Sequence, residues 1–276
     1  MAALAARPRR VPPVDRLGQR LRETRLVRDR LLTVYLTVAD PLTAGPPDLA
    51  PVIARAGADV LELGIPTPST RPRGAEVAAS FDRARVTELV EVWTRLGELR
   101  RTLPNTPLIL LIYPETIADI GWPQLLHESA RAGVDGMVLT QPTDVDLARV
   151  ASAGLRAIPL IRPTVGPGES KRLEDLSSGL TYRNLAGRTG ETLDADSAAD
   201  LAGHLAADAK KPFLVGFGIR YKREINALAP HVAGVVIGSE FLRLISATRP
   251  DRRVARAAEI VGGWKSATLL TRRAES

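Results

Sequence analysis

The feature that most constrains this chain is a repeated change of hydrophobic period. Short apolar runs of strand length alternate with stretches whose apolar residues recur at helical spacing. Strand-type runs fall at residues 31–38, 60–63, 108–113, 134–139, 157–161, 180–182, 213–217 and 232–237. Helical spacing fills the intervals at 49–56, 75–101, 122–132, 145–153, 195–207, 224–228 and 252–264, with a shorter helix around 173–176. Val14, Leu17, Leu21 and Val27 predict one more amphipathic helix ahead of the first strand. Strict alternation of strand and helix implies parallel strands joined by crossover helices. The strands are apolar almost throughout, which fits a sheet covered on both faces. An open doubly wound sheet would satisfy the same alternation. The count of about eight strand–helix units, and glycine-rich turns after the late strands, favour closure into a barrel. A length of 276 residues suits such a barrel as one domain.

Composition then removes whole classes of function. No apolar run approaches the ~20 residues that span a bilayer, so no membrane role is expected. The absence of cysteine excludes disulfides, thiolate metal sites and a cysteine nucleophile together. The N-terminus lacks a secretory apolar segment, which makes a cytoplasmic location the expectation. A net charge of +7 is the unusual value, and basic chains bind nucleic acid or small anions. With only four Phe and four Tyr there is no stacking platform for single strands. The arginines scatter through helices and cluster in residues 7–30, so they read as solvated faces and no nucleic-acid partner is expected. Residues 1–13 are small, basic and proline-containing, and are expected to form a disordered tail ahead of a barrel domain over 14–276. His127, His204 and His231 fall on helices or before strands, and no metal site is expected.

In β/α barrels the active site lies at the C-terminal ends of the strands. Two late strands end in Val215-Gly216-Phe217-Gly218-Ile219 and Val236-Ile237-Gly238-Ser239, and Gly187-Arg188-Thr189-Gly190 follows the sixth. Glycine there lets the backbone approach a ligand, and a helix starting near Ser239 would present free N–H groups to an anion. Three such turns point to a small phosphorylated ligand.

Other segments carry a resemblance. Thr37-Val38-Ala39-Asp40-Pro41, Ala56-Gly57-Ala58-Asp59-Val60-Leu61-Glu62-Leu63-Gly64-Ile65-Pro66, Ala132-Gly133-Val134-Asp135-Gly136 and Arg162-Pro163-Thr164, with the glycine turns above, keep the order and spacing of one family. From about residue 16 to 245 the chain resembles the tryptophan synthase α subunit family. The resemblance implies a single (β/α)8 TIM barrel of the ribulose-phosphate-binding type. It also implies retro-aldol cleavage of indole-3-glycerol phosphate without a cofactor, beside a β-type partner subunit. Carried onto this chain, the proton-transferring Glu is Glu62, and the phosphate residues are Gly190, Gly218, Gly238 and Ser239. Tyr113, Thr140, Arg162 and Tyr182 are the expected pocket residues.

The chain departs from the family at the rim. The family's loop after the second strand reads F-S-D-P-x-A-D-G-P and supplies an Asp that holds the indole N–H. Here the loop reads Thr67-Pro68-Ser69-Thr70-Arg71-Pro72-Arg73-Gly74-Ala75, which puts Arg73 at the Asp position. A guanidinium has donors only and cannot accept that bond. Ser69 replaces an Asp used in partner contact, which puts the partner in question. Glu115, after the third strand, is the candidate substitute carboxylate, while Glu76 reads as a dipole-favoured acid at a helix start. Arg71, Arg73 and Arg162 either wave in solvent or converge on the mouth. Convergence would favour a more anionic substrate and hold Glu62 charged. Two functions follow: a lyase with Glu62 as acid/base, or a phosphate-binding regulatory or partner barrel without turnover.

Overall fold

The computed structural model describes residues 14–45, 48–84, 88–185, 194–216 and 218–270. In chain order its elements are α1 (Arg16–Leu26), β1 (Leu31–Thr37), α2 (Leu49–Arg55), β2 (Val60–Gly64), α3 (Ala75–Ala84), α4 (Leu89–Thr102) and β3 (Leu108–Ile112). There follow α5 (Pro114–Ile120), α6 (Trp122–Arg131), β4 (Gly136–Leu139), α7 (Asp144–Ser152), β5 (Arg156–Ile161), α8 (Pro167–Leu176) and β6 (Thr181–Asn184). The last are α9 (Ala195–Asp208), β7 (Phe213–Gly216), α10 (Lys222–Leu228), β8 (Gly234–Ile237), α11 (Ser239–Ser246) and α12 (Arg253–Ser266). All neighbouring strands are parallel, and β8 pairs with β1 to close an eight-stranded barrel. The expected (β/α)8 barrel is therefore the fold, and the open sheet is ruled out. The expected tail, residues 1–13, lies outside the described residues.

Two local expectations differ. The helical stretch over 75–101 is two helices, because Glu88 takes extended backbone (φ −132°, ψ 129°) as the N-cap of α4 and breaks the helical phase. The short helix α5 was not foreseen. Pro114 starts it, where a missing N–H costs nothing, and Gly121 at φ +80° ends it. A helix of that length carries too few turns to show a period.

The strands are apolar on both faces because each face has its own core. Leu32, Val34, Leu61 and Leu110 pack outward against the helices. Leu31, Val60, Ile109, Val138, Leu214 and Val236 fill the barrel interior. Leu17 of α1 belongs to this inner cluster at 1% exposure, so α1 closes one end of the barrel. Two hydrogen bonds of 2.6 Å from Arg156 to Asp15, and one of 3.0 Å from Arg16 to Asp135, fasten it there. The two Ala-Gly-x-Asp segments have matching structural roles. Asp59 accepts the Leu32 amide at 2.8 Å and pairs with Lys265, while Asp135 accepts the Leu108 amide at 2.8 Å and pairs with Arg100. Each carboxylate thus ties the start of the preceding strand to its neighbour. This leaves the opposite ends of the strands to carry Glu62 and the glycine turns.

Candidate active site

Glu62 lies inside β2, in register with Tyr35 of β1 and Ile109 of β3. Strand alternation puts it on the same inward face as Val60. Its side chain is 2% exposed, and Oε1 has no hydrogen-bond partner among the described residues. Burial disfavours the charged form and pushes its pKa up to about 8. At neutral pH the resting carboxyl therefore holds its proton.

Three phenols share this space. Burial raises Tyr35, Tyr113 and Tyr182 above the ordinary tyrosine value; the nearby Glu62 charge adds to it next in Tyr113 and Tyr182, whereas in Tyr35 the neighbouring Tyr113 comes before Glu62. Two glycines make room for them. A Cβ on Gly64 would lie 2.1 Å from the Tyr35 hydroxyl, and one on Gly216 would lie 2.0 Å from the Tyr182 hydroxyl. Any side chain at either glycine would displace a phenol. The Tyr35 hydroxyl lies 3.0 Å from Thr37 Oγ1, which lies 2.5 Å from Ser80 Oγ. Ser80 in turn donates to the Val77 carbonyl at 2.6 Å.

The arginines do not shape this environment. Arg71 folds back to donate to the Pro68 and Thr70 carbonyls at 2.6 and 2.9 Å. Arg73 and Arg162 are exposed. Of the two readings of these arginines, the described residues favour the solvated one, since burial raises the Glu62 pKa and none of the three arginines lowers it. Long cationic side chains keep their charge in water rather than enter a desolvated pocket. Glu115 is exposed in the first turn of α5, where its charge reaches Tyr113. Glu76, in the first turn of α3, acts on Arg83 and Arg243. Thr140 follows β4 and donates to the Ile112 carbonyl at 3.2 Å.

At the other candidate subsite, Gly238 is the N-cap of α11, and no side chain among the described residues caps that helix. Gly218 sits at φ +86°, a conformation that favours glycine. Gly190 lies outside the described residues, as do Gly187 and Phe217.

The loop after β2 is tied to α5. Thr67 and Thr70 hydroxyls lie 2.7 Å apart, Thr70 and Thr116 lie 3.0 Å apart, and the Ser69 amide donates to Asp119 at 2.8 Å. The Thr67 hydroxyl, against slight burial and helped by Ser69, holds the Asp119 carboxyl below its usual value.

Sequence reasoning missed Tyr35, Ser80, Thr116 and Asp119. A signal for the first was present: Thr33, Tyr35 and Thr37 put polar atoms at alternate positions of an otherwise apolar strand, all on one face. The hydroxyl pairing across the loop had no such signal, because it joins segments about 46 residues apart.

Fold and site together define a (β/α)8 barrel whose interior carries a buried, protonated carboxyl among phenols. A family model for the tryptophan synthase alpha chain matches residues 22–268. The tryptophan synthase alpha chain of Xylella fastidiosa (strain 9a5c) is 31% identical over 241 residues, covering 84% of this chain and 90% of its own. That of Laribacter hongkongensis (strain HLHK9) is 30% identical over 258 residues, covering 90% and 98%. A crystal structure of the tryptophan synthase alpha chain from Legionella pneumophila superposes with a TM-score of 0.80 at 24% identity, over 92% of this chain and 97% of that one. The chain belongs to the tryptophan synthase alpha chain family.

Among the described residues no helix is long and apolar enough to cross a membrane, and no group of acidic and histidine side chains could hold a metal ion.

Proposed function

We propose that this chain is a carbon–carbon lyase that cleaves indole-3-glycerol phosphate, or a closely related indolyl phosphate, with Glu62 as the proton carrier. The observation that carries the reading is the protonated, buried Glu62 carboxyl, its Oε1 without a partner among the described residues, at the position the family resemblance assigns to proton transfer. Retro-aldol cleavage needs one proton delivered to the indole carbon that keeps the bonding pair. It needs another removed from the hydroxyl on the carbon that becomes the aldehyde. A carboxyl that first donates and then accepts balances both and ends as it began, with no cofactor required. Desolvation supports the first step, since a carboxyl with a pKa near 8 is an acid at neutral pH.

The phosphate would lie on the uncapped N-terminus of α11 and the Gly218 turn, where backbone N–H groups and the helix dipole favour an anion. Gly190 completes this set in the resemblance. Tyr113, Tyr182 and Thr140 would line the pocket. Glu115 is the candidate second carboxylate through its proximity to Tyr113. The more anionic substrate loses its physical basis with the cationic rim. A β-type partner would dock over the loops after β2 and β3, whose pairing through Thr70 and Thr116 gives them a fixed relative position.

The second reading, a phosphate-binding barrel without turnover, is favoured by one observation: the loop after β2 carries an exposed Arg73 where the family has its Asp. Indole release from indole-3-glycerol phosphate, followed in wild type and Glu62→Gln, separates the two. The lyase reading expects release in wild type and a loss of at least about 10²-fold in the variant. Binding of substrate with no release in wild type, alone or with a β-type partner, would leave only the second reading.

A further inference from the structure

The loop after β2 has no carboxylate to accept the indole N–H, yet the interior beside it holds a group fixed as an acceptor. A hydroxyl has one proton, and a carbonyl oxygen only accepts. Ser80 therefore spends its proton on the Val77 carbonyl at 2.6 Å. Thr37, at 2.5 Å, must then donate to Ser80. Tyr35, at 3.0 Å, must donate to Thr37. The order of protons along Tyr35, Thr37 and Ser80 is set by the carbonyl at its end. What the Tyr35 oxygen has left for any further partner is a lone pair.

Its position fits that use. The hydroxyl lies 2.1 Å from where a Cβ on Gly64 would be. Gly64 stands two residues beyond Glu62 on the same face of β2, nearer the C-terminal mouth, and is the residue from which the Arg73 loop departs. A ligand entering from the mouth to reach Glu62 passes this point. Tyr35 and Glu62 are each 2% exposed, so whatever reaches the carboxyl must open the same space beside the phenol. Tyr113 is the least buried of the three phenols around Glu62.

We propose that Tyr35 accepts the hydrogen bond of the substrate's ring N–H, with Thr37 and Ser80 as positioning residues that keep the phenol's own proton out of the pocket. The inference rests on the lyase reading above and makes the substrate a heteroaromatic phosphate with a ring N–H donor. A neutral phenol replaces the charged acceptor of the family, so the site holds the N–H with a weaker bond and without a second negative charge beside Glu62.

The test compares two uncleavable ligands, indol-3-ylpropyl phosphate and its benzothiophene isostere, which has no N–H. Calorimetric titration into wild type is expected to favour the indole about tenfold, the order of one hydrogen bond that would otherwise leave a buried donor unpaired. In Tyr35→Phe the preference should fall to about twofold or less, chiefly by loss of indole affinity. Thr37→Val, which frees the phenol's proton to turn inward, should also reduce it while the phenol stays in place. An unchanged preference in Tyr35→Phe, equal weakening of both ligands, or no preference in wild type would overturn the assignment and leave the lyase reading intact. Failure of wild type to bind either ligand, while glycerol phosphate still binds, would overturn the indolyl-phosphate reading itself and the inference with it.

Discussion

The Glu62 carboxyl makes a stability prediction that needs no substrate. In the native state its pKa stands at about 8 against an ordinary 4.5, because burial disfavours the charge. Between those values the folded protein holds a proton that the unfolded chain releases, so stability must fall as pH rises through this window. Each unit of displacement is worth about 1.4 kcal/mol. The full displacement amounts to about 5 kcal/mol once native Glu62 is ionised, of which about 3 kcal/mol is already lost at pH 7. Glu62→Gln removes this dependence, because the amide does not titrate. Its buried N–H groups add a cost of their own, but one that is the same at every pH. Urea unfolding of both proteins from pH 5 to 9 isolates the difference, since every other titrating group is shared. The stability of Glu62→Gln relative to wild type should climb by about 1.4 kcal/mol per pH unit up to about pH 8 and then level off. Parallel curves for the two proteins would refute the reasoning, and would mean that the carboxyl is solvated or paired in solution.

The same carboxyl sets the pH profile of activity: a reaction that begins with protonated Glu62 should lose rate above pH about 8, approaching tenfold per unit, as measured by initial rates of indole release. Gly238→Asp puts a carboxylate at the N-cap of α11, where the phosphate is proposed to lie, and glycerol phosphate affinity by calorimetry should drop at least about tenfold while the helix stays capped. Thr116→Val leaves the buried Thr70 hydroxyl with one partner fewer, so thermal or urea unfolding should show a loss of about 1 kcal/mol, and limited proteolysis should cut the 67–73 loop faster.

The barrel was legible because its cause is written along the whole chain. Strands buried on both faces must be apolar at every position, and helices between them must show a stripe, so runs such as 31–38 and 108–113 announce themselves. Glu62 came from the resemblance instead, through its place in the Glu62-Leu63-Gly64-Ile65-Pro66 segment. Its protonation was not legible, because that depends on whether a cation shares its space. Arg71 and Arg73 are close in sequence and far in effect, one folded onto its own loop and the other in water. Charge on a loop tip changes at little cost, since solvent accepts either sign. A polar atom inside the barrel has no such freedom and must come with its partners. Tyr35 is therefore inseparable from Thr37, Ser80 and the Val77 carbonyl, and from the missing side chain at Gly64, whose place its hydroxyl takes. The visible substitution at Arg73 directs attention to the loop, where one residue can change alone. The chemistry that could answer it lies in the interior, as a set of residues that make sense only together, spread over one strand, a glycine on the next and a helix beyond. Such a set leaves no contiguous motif, and it is found only by following each proton to the atom that accepts it.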